Sequence, residues 1–305
     1  MIFVGKKGII IYCRVVLQQH CLTQGFVAPT AVGGSFCNGL CCLKTLKAGV
    51  NTTVQGVKLK KIGVISDVHG NLPALKRALE YLKSTNCDEI IHTGDIVDIG
   101  AQSSECLQML SENNVVCLMG NHDWDFVTGN ARHKQFSHVS TAHKQFVFAS
   151  LKGMEDVVEK FPLSVERICG GKKVIFEHYC RYPQPINGYF FRPIANNPSA
   201  EIFDEMYSDY NCDAVFFGHK HEPCDLTGKR LYVDVGSVGC HPQPVACGIV
   251  ITYDDNSFSY SRFALPYDLK SVEDSMTKGN LPSGRYLFDF YFLHRKDLPF
   301  CEEEE

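Results

Sequence analysis

The residues of this chain best suited to chemistry are aspartates, one asparagine and histidines that recur in short blocks. In chain order the blocks contain Asp67 and His69, Asp95, Asn121 and His122, His178, and His219 and His221. Carboxylate and amide oxygens mixed with imidazoles suit Mn, Fe, Zn or Ni better than Mg or Ca. The blocks therefore predict a metal site that needs no cysteine ligand.

The first block alone does not establish such a site. Asp67 and His69 would fit equally well a turn in which Asp67 accepts a hydrogen bond from a backbone amide. The later blocks argue against a simple turn, because every block follows a short apolar run typical of a buried strand. These runs are residues 60–66, 89–93, 115–119, 173–177 and 214–217. Ligands in open α/β sheets collect at the C-terminal ends of strands, so we expect the five blocks to meet at one edge.

The order of the blocks closely resembles the signature of the calcineurin-like metallophosphoesterases: Asp-x-His, Gly-Asp, Gly-Asn-His-Asp/Glu, His and Gly-His-x-His. The resemblance covers about residues 60–288, and segments 236–239, 267–268 and 279–282 are similar to the small stand-alone phosphodiesterase branch of that family. It implies an α/β (α+β) sandwich of two packed mixed sheets flanked by helices. A dinuclear metal site is expected at the strand ends.

The resemblance also implies a role for each block residue. One divalent ion is expected to be bound by Asp67, His69 and His221. The other is expected to be bound by Asn121, His178 and His219, and Asp95 is expected to bind both ions. Two such ions, about 3.5–4 Å apart, hold a bridging hydroxide and neutralise the phosphoryl oxygens during in-line displacement. The implied cofactors are two divalent metal ions, Mn first, with Fe, Zn or Ni as alternatives.

The metals do not supply a proton for the leaving group, and His122 resembles the general acid that does so in the family. Asp98 aligns with the aspartate that pairs with this histidine in the family. Its role is therefore expected to be catalytic, through His122. A solvated loop carboxylate is the alternative for Asp98.

Three positions depart from related sequences. Ile99 stands where the protein Ser/Thr phosphatases carry an arginine that grips phosphate through two hydrogen bonds, and Asp123 replaces their glutamate. Loss of the arginine favours phosphodiesters over doubly charged monoesters. Tyr179 follows His178 where relatives often have a small residue, so we expect a narrower pocket.

Other functions remain open on the same residues. One is a phosphomonoesterase or protein phosphatase, and another is a dinucleoside-polyphosphate hydrolase. The non-enzymatic alternative is a protein-binding scaffold like the retromer subunit of this fold, which lacks the catalytic histidine. Because His122 and seven candidate ligands are all present, we expect an enzyme whose partner is a small phosphoester or nucleotide.

A segment rich in proline and aromatic residues, 181–197, predicts a long loop near the site. Arg181 and Arg192 in this segment are candidates for substrate contact. Solvated surface arginines are the alternative, since charged loop residues are mostly exposed.

Composition bounds the remaining possibilities. The 305 residues, 45% of them hydrophobic, are enough for one sizeable domain plus extensions. A net charge of −4 without a long Lys/Arg run argues against a nucleic-acid binder. The apolar run at residues 9–17 is too short to span a membrane. Fifteen cysteines without a secretory signal favour the reducing cytoplasm.

We expect a Cys-rich extension of unknown role over residues 1–58, a phosphoesterase domain over 59–288, and an aromatic then acidic tail over 289–305. Helices are predicted at 72–84, 104–112 and 268–278, with a helical insert at 132–151 and 154–162. Strands at 173–177, 214–217, 230–235, 246–253 and 257–265 are expected to form a second, more antiparallel sheet. His133, His138 and His143 are expected to be solvated on the insert, since their spacing spreads them around a helix.

Overall fold

The computed structural model describes residues 59–129, 139–186 and 188–298. Its strands, in chain order, are β1 (Lys60–Ile65), β2 (Glu89–His92), β3 (Val116–Cys117), β4 (Ser164–Cys169), β5 (Lys172–Glu177), β6 (Arg181–Ile186), β7 (Tyr189–Phe191), β8 (Ala214–Phe217), β9 (Cys224–Thr227), β10 (Leu231–Asp234), β11 (Val245–Tyr253) and β12 (Phe258–Pro266). The helices are α1 (Leu72–Ser84), α2 (Ser103–Glu112), α3 (Asn121–Thr128), α4 (Thr141–Ser150), α5 (Glu155–Val158), α6 (Ala200–Met206), α7 (Leu269–Lys278) and α8 (Gly284–Leu287), and a π-helical turn, Phe288–Phe292, follows α8. The predictions for residues 1–58, His133, His138 and the acidic end of the tail lie outside the described residues.

The first sheet has the strand order β12-β11-β1-β2-β3. Its strands β1, β2 and β3 are parallel, and β11 runs antiparallel to β1. Ile62, Val64 and Ile65 of the central strand β1 are buried, as expected for a strand covered on both faces. The C-terminal ends of the three parallel strands therefore lie at the same edge.

The second sheet has the order β4-β5-β8-β10-β9, with β5, β8 and β10 parallel and an antiparallel strand at each side. Ile62 and Ile249 of the first sheet lie in one buried cluster with Phe176 and Phe216 of the second. The two sheets thus pack face to face, and helices cover the other side of the first sheet. The predicted fold class is confirmed.

The assignment of segments 246–253 and 257–265 to the second sheet was wrong. These segments form β11 and β12 of the first sheet, where β11 pairs with β1. Six successive residues of β11, from Ala246 to Ile251, are buried. Ile249 and Ile251 face the second sheet, whereas Val250 faces the helices, so β11 fits the interior of a sheet that is covered on both sides.

Helix α1 begins and ends at the predicted residues. The Asn71 side chain accepts a hydrogen bond from the Ala74 amide at 3.1 Å, which caps the first turn. Leu75, Leu79 and Leu82 form the buried stripe of the helix. The chain from Asp67 to Asn71 is therefore held between a buried strand and a capped helix.

The helical insert differs from its prediction. Among the described residues it consists of the shorter helices α4 and α5, and α3, which begins at Asn121, was not predicted. The expectation that His143 is solvated was wrong, because its side chain is 0% exposed. It shares the inward face of α4 with Lys144 and Val147.

The loop expected at 181–197 begins instead as a hairpin of β6 and β7. Pro183 and Pro185 lie on the exposed part of β6, where an edge strand tolerates proline. The indole Nε1 of Trp124 on α3 donates to the carbonyl oxygen of Gly188 in the hairpin turn at 3.1 Å. The hairpin therefore lies against the helix that carries Asn121 and His122.

Within the described residues no helix is long and apolar enough to cross a bilayer. The nine cysteines of this part of the chain are all free. Cys106 and Cys247 are buried within a helix and a strand, where a free thiol behaves as a small apolar side chain, whereas Cys117 is partly buried.

Candidate metal centre

The predicted strand ends meet in space. Asp67 and His69 follow β1, Asp95 follows β2, Asn121 begins α3 after β3, His178 follows β5, and His219 and His221 follow β8. The first five of these side chains are buried, and the two histidines after β8 are partly exposed. The set forms two groups of ligand atoms joined by one carboxylate.

The first group consists of Asp67, His69 and His221. The Nε2 atoms of His69 and His221 are 3.1 Å apart. Asp67 Oδ1 lies 3.7 Å from His69 Nε2 and 3.4 Å from His221 Nε2. Ligands at about 2.0–2.2 Å from an ion stand roughly 3–3.5 Å from one another, so this spacing fits a single ion.

The second group consists of Asn121, His178 and His219. His178 Nε2 lies 2.9 Å from Asn121 Oδ1 and 3.0 Å from His219 Nδ1. Asp95 Oδ2 lies 3.2 Å from His178 Nε2 in this group and 3.8 Å from His69 Nε2 in the first. One oxygen of Asp95 therefore faces both groups.

The donor chemistry of the cluster fits a cation. A carboxylate, an amide oxygen and unprotonated imidazole nitrogens present only lone pairs to one another. Rotating the Asn121 amide would aim its NH₂ group at His219 Nδ1 and His178 Nε2 at 2.7 and 2.9 Å and would satisfy them without an ion. Even with the amide rotated, the carboxylate and imidazole atoms of the other ligands would still face one another without donors between them. We therefore assign the amide oxygen to the inward position, where it completes the ligand set of an ion.

Protons and metal ions compete for this cluster. Burial would lower the pKa of His178, but the carboxylate of Asp95 raises it to about 9. Burial would likewise raise the pKa of Asp95, but His178 and His122 hold it well below its usual range. Metal binding needs a neutral imidazole, so it must release protons here and weaken in acid.

The backbone at the centre is strained. Left-handed φ angles occur at five of the seven candidate ligands: Asp67, His69, Asp95, His219 and His221. Residues with a Cβ adopt this conformation at a cost of about 1–2 kcal/mol each. Such strain persists where the surrounding structure enforces it, and it is concentrated at functional sites.

Asp123 holds the loop of Asp95 against the start of α3, a role that the sequence did not reveal. Its carboxylate accepts the backbone N–H groups of Asp95, Ile96, Val97 and Gly120 at 2.8–3.2 Å. Gly120 is required for space, because a Cβ there would collide with the amide and the carboxylate of Asp95. Asp95 and Asn121 are thus fixed relative to each other before any ion binds.

His122 lies beside the cluster and is paired with Asp98. Its backbone N–H donates to Asp95 Oδ1 at 2.8 Å, and its ring centroid is 4.8 Å from that of His69. The ring Nδ1 is 2.8 Å from Asp98 Oδ2, and Asp98 is fully buried, not a solvated loop residue. Burial would lower the pKa of His122, but Asp95 and Asp98 raise it to about 9. The two carboxylates therefore favour the protonated form of His122.

Cys240 was missed by the sequence analysis. Its Sγ lies within 4.8 Å of ligand nitrogens of His69 and His221. Cys240 directly follows segment 236–239, which resembles a turn of the family. Its position next to that turn was the sequence feature that could have identified Cys240 as a residue near the site.

The two candidate arginines are engaged within the hairpin region. Arg181 Nε donates to Glu177 Oε2 at 3.0 Å, and its Nη2 donates to Ser164. Arg192 donates to the carbonyl oxygen of Arg181 and stacks on Tyr182 at 5.0 Å. Both side chains thus have partners within the chain, and their contact with substrate stays a prediction.

Tyr179 does not narrow the site in the way expected. Its side chain is 1% exposed, and its hydroxyl accepts the Ala195 amide N–H at 3.0 Å. The ring packs at 5.1 Å from His219, behind the ligand cluster. Its bulk therefore supports a ligand and does not project into open space.

A sandwich of mixed sheets with this ligand cluster at its strand ends defines a metallophosphoesterase. Residues 60–223 match the family of calcineurin-like phosphoesterases, more than half of the chain, and the protein belongs to that family. Its members are hydrolases of phosphoesters that use a dinuclear metal centre.

Two similar proteins match most of the length of this chain. It is 27% identical over 257 residues to the uncharacterized protein MJ0912 of Methanocaldococcus jannaschii, covering 77% of this chain and 98% of that one. The crystal structure of hypothetical protein PH1004 from Pyrococcus horikoshii OT3 superposes with a TM-score of 0.61 at 18% identity, covering 76% and 97% of the two chains, and shows the shared fold. A shorter match, 34% identity over 64 residues, covers 21% of this chain and 36% of phosphodiesterase MJ0936 of M. jannaschii.

Proposed function

We propose that the protein is a dinuclear metal-dependent phosphodiesterase in which His122 is the general acid. The observation that carries the proposal is the position of the His122–Asp98 pair against the ligand cluster. The His122 amide donates to Asp95 Oδ1 while the ring is held by Asp98 Oδ2, both at 2.8 Å. A proton donor is thereby fixed next to the place where phosphoryl oxygens would bind.

The ligand roles follow the two groups. Asp67, His69 and His221 would hold one ion, Asn121, His178 and His219 the other, and Asp95 both. When bound, two divalent ions supply a hydroxide nucleophile at neutral pH and neutralise phosphoryl charge. We propose Mn first, with Fe, Zn and Ni as alternatives, because this oxygen and nitrogen set suits all four.

His122 has the features of a general acid. Its Nδ1 is committed to Asp98, and its side chain is 17% exposed, so the other ring nitrogen is available to a leaving group. Asp98 orients the ring and stabilises its charged form, as the buried aspartate does for histidine in hydrolase triads.

The preference for diesters is supported by Ile99. Its side chain is 1% exposed and apolar, so it offers no charge to the second negative oxygen of a monoester. The partial match to phosphodiesterase MJ0936 agrees with this preference, whereas equally short matches to symmetrical bis(5'-nucleosyl)-tetraphosphatases agree with the dinucleoside-polyphosphate alternative. Free cysteines throughout the described residues support a reducing, cytoplasmic setting.

Hydrolysis of matched esters tests the proposal. Chelator-stripped protein refilled with Mn²⁺ should bind two ions per chain and cleave bis(4-nitrophenyl) phosphate faster than 4-nitrophenyl phosphate. A preference for the monoester, or for a dinucleoside tetraphosphate, would assign the site to those alternatives. Two bound ions without hydrolysis of any ester would favour the protein-binding scaffold.

A test of His122 as the general acid needs a substrate with a poorer leaving group. With a diester that releases unsubstituted phenol, His122→Ala should lower kcat/KM by about 10²–10⁴-fold, the usual contribution of a general acid. The loss should be much smaller with 4-nitrophenol, which leaves without protonation. Gln145→Leu, an exposed position on α4, is the control.

A further inference from the structure

The carboxylate of Asp98 has partners beyond His122. Its Oδ1 accepts the backbone N–H of Ile99 at 2.8 Å. Two more groups come from α4: His143 Nε2 lies 3.4 Å from Oδ1, and Lys144 Nζ lies 3.9 Å from Oδ2. A helix outside the metal-binding blocks thus contacts the residue that orients the proton donor.

His143 is fixed from both sides. Its side chain is 0% exposed, and Nδ1 lies 3.1 Å from the carbonyl oxygen of Pro282. Because a carbonyl oxygen only accepts, Nδ1 is the donor to Pro282. Nε2 can donate to Asp98 Oδ1 as well only when the ring carries both protons. His143 therefore bridges Asp98 to segment 279–282, which the sequence had matched to the family without giving it a role.

Lys144 joins the same network to the helix that carries His122. Its Nζ lies 3.0 Å from Oδ2 of Asp125, which is three residues after His122 on α3. Lys144 is 5% and Asp125 2% exposed. Because a buried charge is costly unless it is paired, these contacts hold α3, α4 and the loop of Asp98 in one arrangement.

The electrostatics agree with this arrangement. Burial would raise the pKa of Asp98, but hydrogen bonds from His122 and His143 hold it well below its usual range. Asp98 is therefore ionised when His122 carries its proton.

We propose that His143 is a positioning residue for the general acid: it holds the Asp98 carboxylate in the orientation that accepts the Nδ1 proton of His122. This inference rests on the proposed function for the step that His122 performs. In that step the oxygen of a hydroxide bonds to phosphorus, the bond to the leaving oxygen breaks, and the Nε2 proton of His122 passes to that oxygen. The proton that the next water gives up in becoming hydroxide restores the protonated form of His122. Asp98 stays ionised and His143 exchanges no proton in this step.

Leaving-group dependence separates positioning from general structural support. His143→Leu should lower kcat/KM about tenfold or more with the phenol-releasing diester and under about threefold with the nitrophenol-releasing one, because only the former depends on protonation. His143→Gln retains a donor toward Asp98 and should recover part of the loss. In a His122→Ala background, His143→Leu should cause no further loss, since both act through one proton transfer.

Equal losses with both esters, or a further loss in the His122→Ala background, would show that His143 only supports the fold and would overturn the inference. Failure of the proposed function is distinguishable, because His122→Ala would then match the unchanged protein on the phenol-releasing ester.

A spectroscopic readout does not depend on turnover. In histidine-labelled, Zn²⁺-loaded protein, the Nδ1-bound proton of His122 should be protected from exchange with water. We expect His143→Leu to increase its exchange rate at least about tenfold and Gln145→Leu to leave it unchanged. An unaltered rate in His143→Leu would overturn the inference even if neither ester is hydrolysed.

Discussion

Two buried polar clusters flank His122, and they differ in how their charge is compensated. In the ligand cluster, carboxylate, amide and imidazole lone pairs converge, with His178 Nε2 3.2 Å from Asp95 Oδ2. In the cluster beneath α4, the carboxylates of Asp98 and Asp125 face Lys144 and two histidines. The first cluster needs cations from solution, whereas the second is balanced by the chain itself. The difference teaches that the proposed proton donor would be held by the chain itself, whereas activation of a nucleophile would depend on ions taken from solution.

The largest effect is expected when the shared carboxylate of the ligand cluster is removed. Asp95→Asn should lower kcat/KM at least about 10³-fold, because both ions lose a charged ligand. It should also reduce the bound metal below two ions per chain. Measurement of metal content beside activity checks this, and full activity with two retained ions would contradict it.

A second change tests whether the α4 cluster is independent of metal. Lys144→Met leaves Asp98 and Asp125 without a cation that lies 3.9 and 3.0 Å from them. The free energy of unfolding should fall by roughly 3–5 kcal/mol, as when one partner of a buried pair is removed.

Denaturant titrations with and without chelator measure this loss, which should be the same in both conditions. If the loss of unfolding free energy disappears when a chelator removes the metal, the α4 cluster depends on the metal and the two clusters are not independent. Gln145→Met, on the exposed face of the same helix, is the control.

A change at Glu177 is expected to give the smallest effect. The charge of this carboxylate is compensated better than in the ligand cluster and less completely than in the α4 cluster. It has a cationic partner in Arg181, yet its Oε1 has no hydrogen-bond partner among the described residues. Burial, offset only in part by Arg181, raises its pKa to about 7. The folded protein therefore binds a proton that the unfolded chain has lost, and stability falls as pH rises from about 4.3 toward 7.

Glu177→Gln should remove this slope, which amounts to roughly 3–4 kcal/mol across the window. Denaturation at several pH values, at constant free metal, measures it, with the exposed Glu159→Gln as control. An unchanged slope in Glu177→Gln would show that Arg181 fully compensates the carboxylate.

The local parts of the structure were predictable from the sequence. Helix α1 and the strands before each block are specified by short apolar patterns and a capping asparagine, and these lie within a few residues of one another. The fold class followed from the family resemblance that the order of the blocks carries.

The parts that depend on distant contacts were not predictable. The place of β11 next to β1 depends on pairing between Gly63 and Val250. The burial of His143 depends on Asp98 and Pro282, which are far from it in sequence, so helical spacing alone suggested a solvated residue. The prolines of β6 likewise concealed a hairpin, because their edge position is visible only in the assembled fold.

The left-handed backbone at five candidate ligands also bears on how such a protein can evolve. Glycine and asparagine adopt this conformation more readily than histidine, so replacing His69 or His221 by either would relieve strain. At the fully buried His69 that relief would be offset by the cavity left behind, whereas the partly exposed His221 would gain more of it. The histidines at these positions are thus residues that a metal centre requires and not those that the backbone prefers, which is the form a trade-off between stability and function takes.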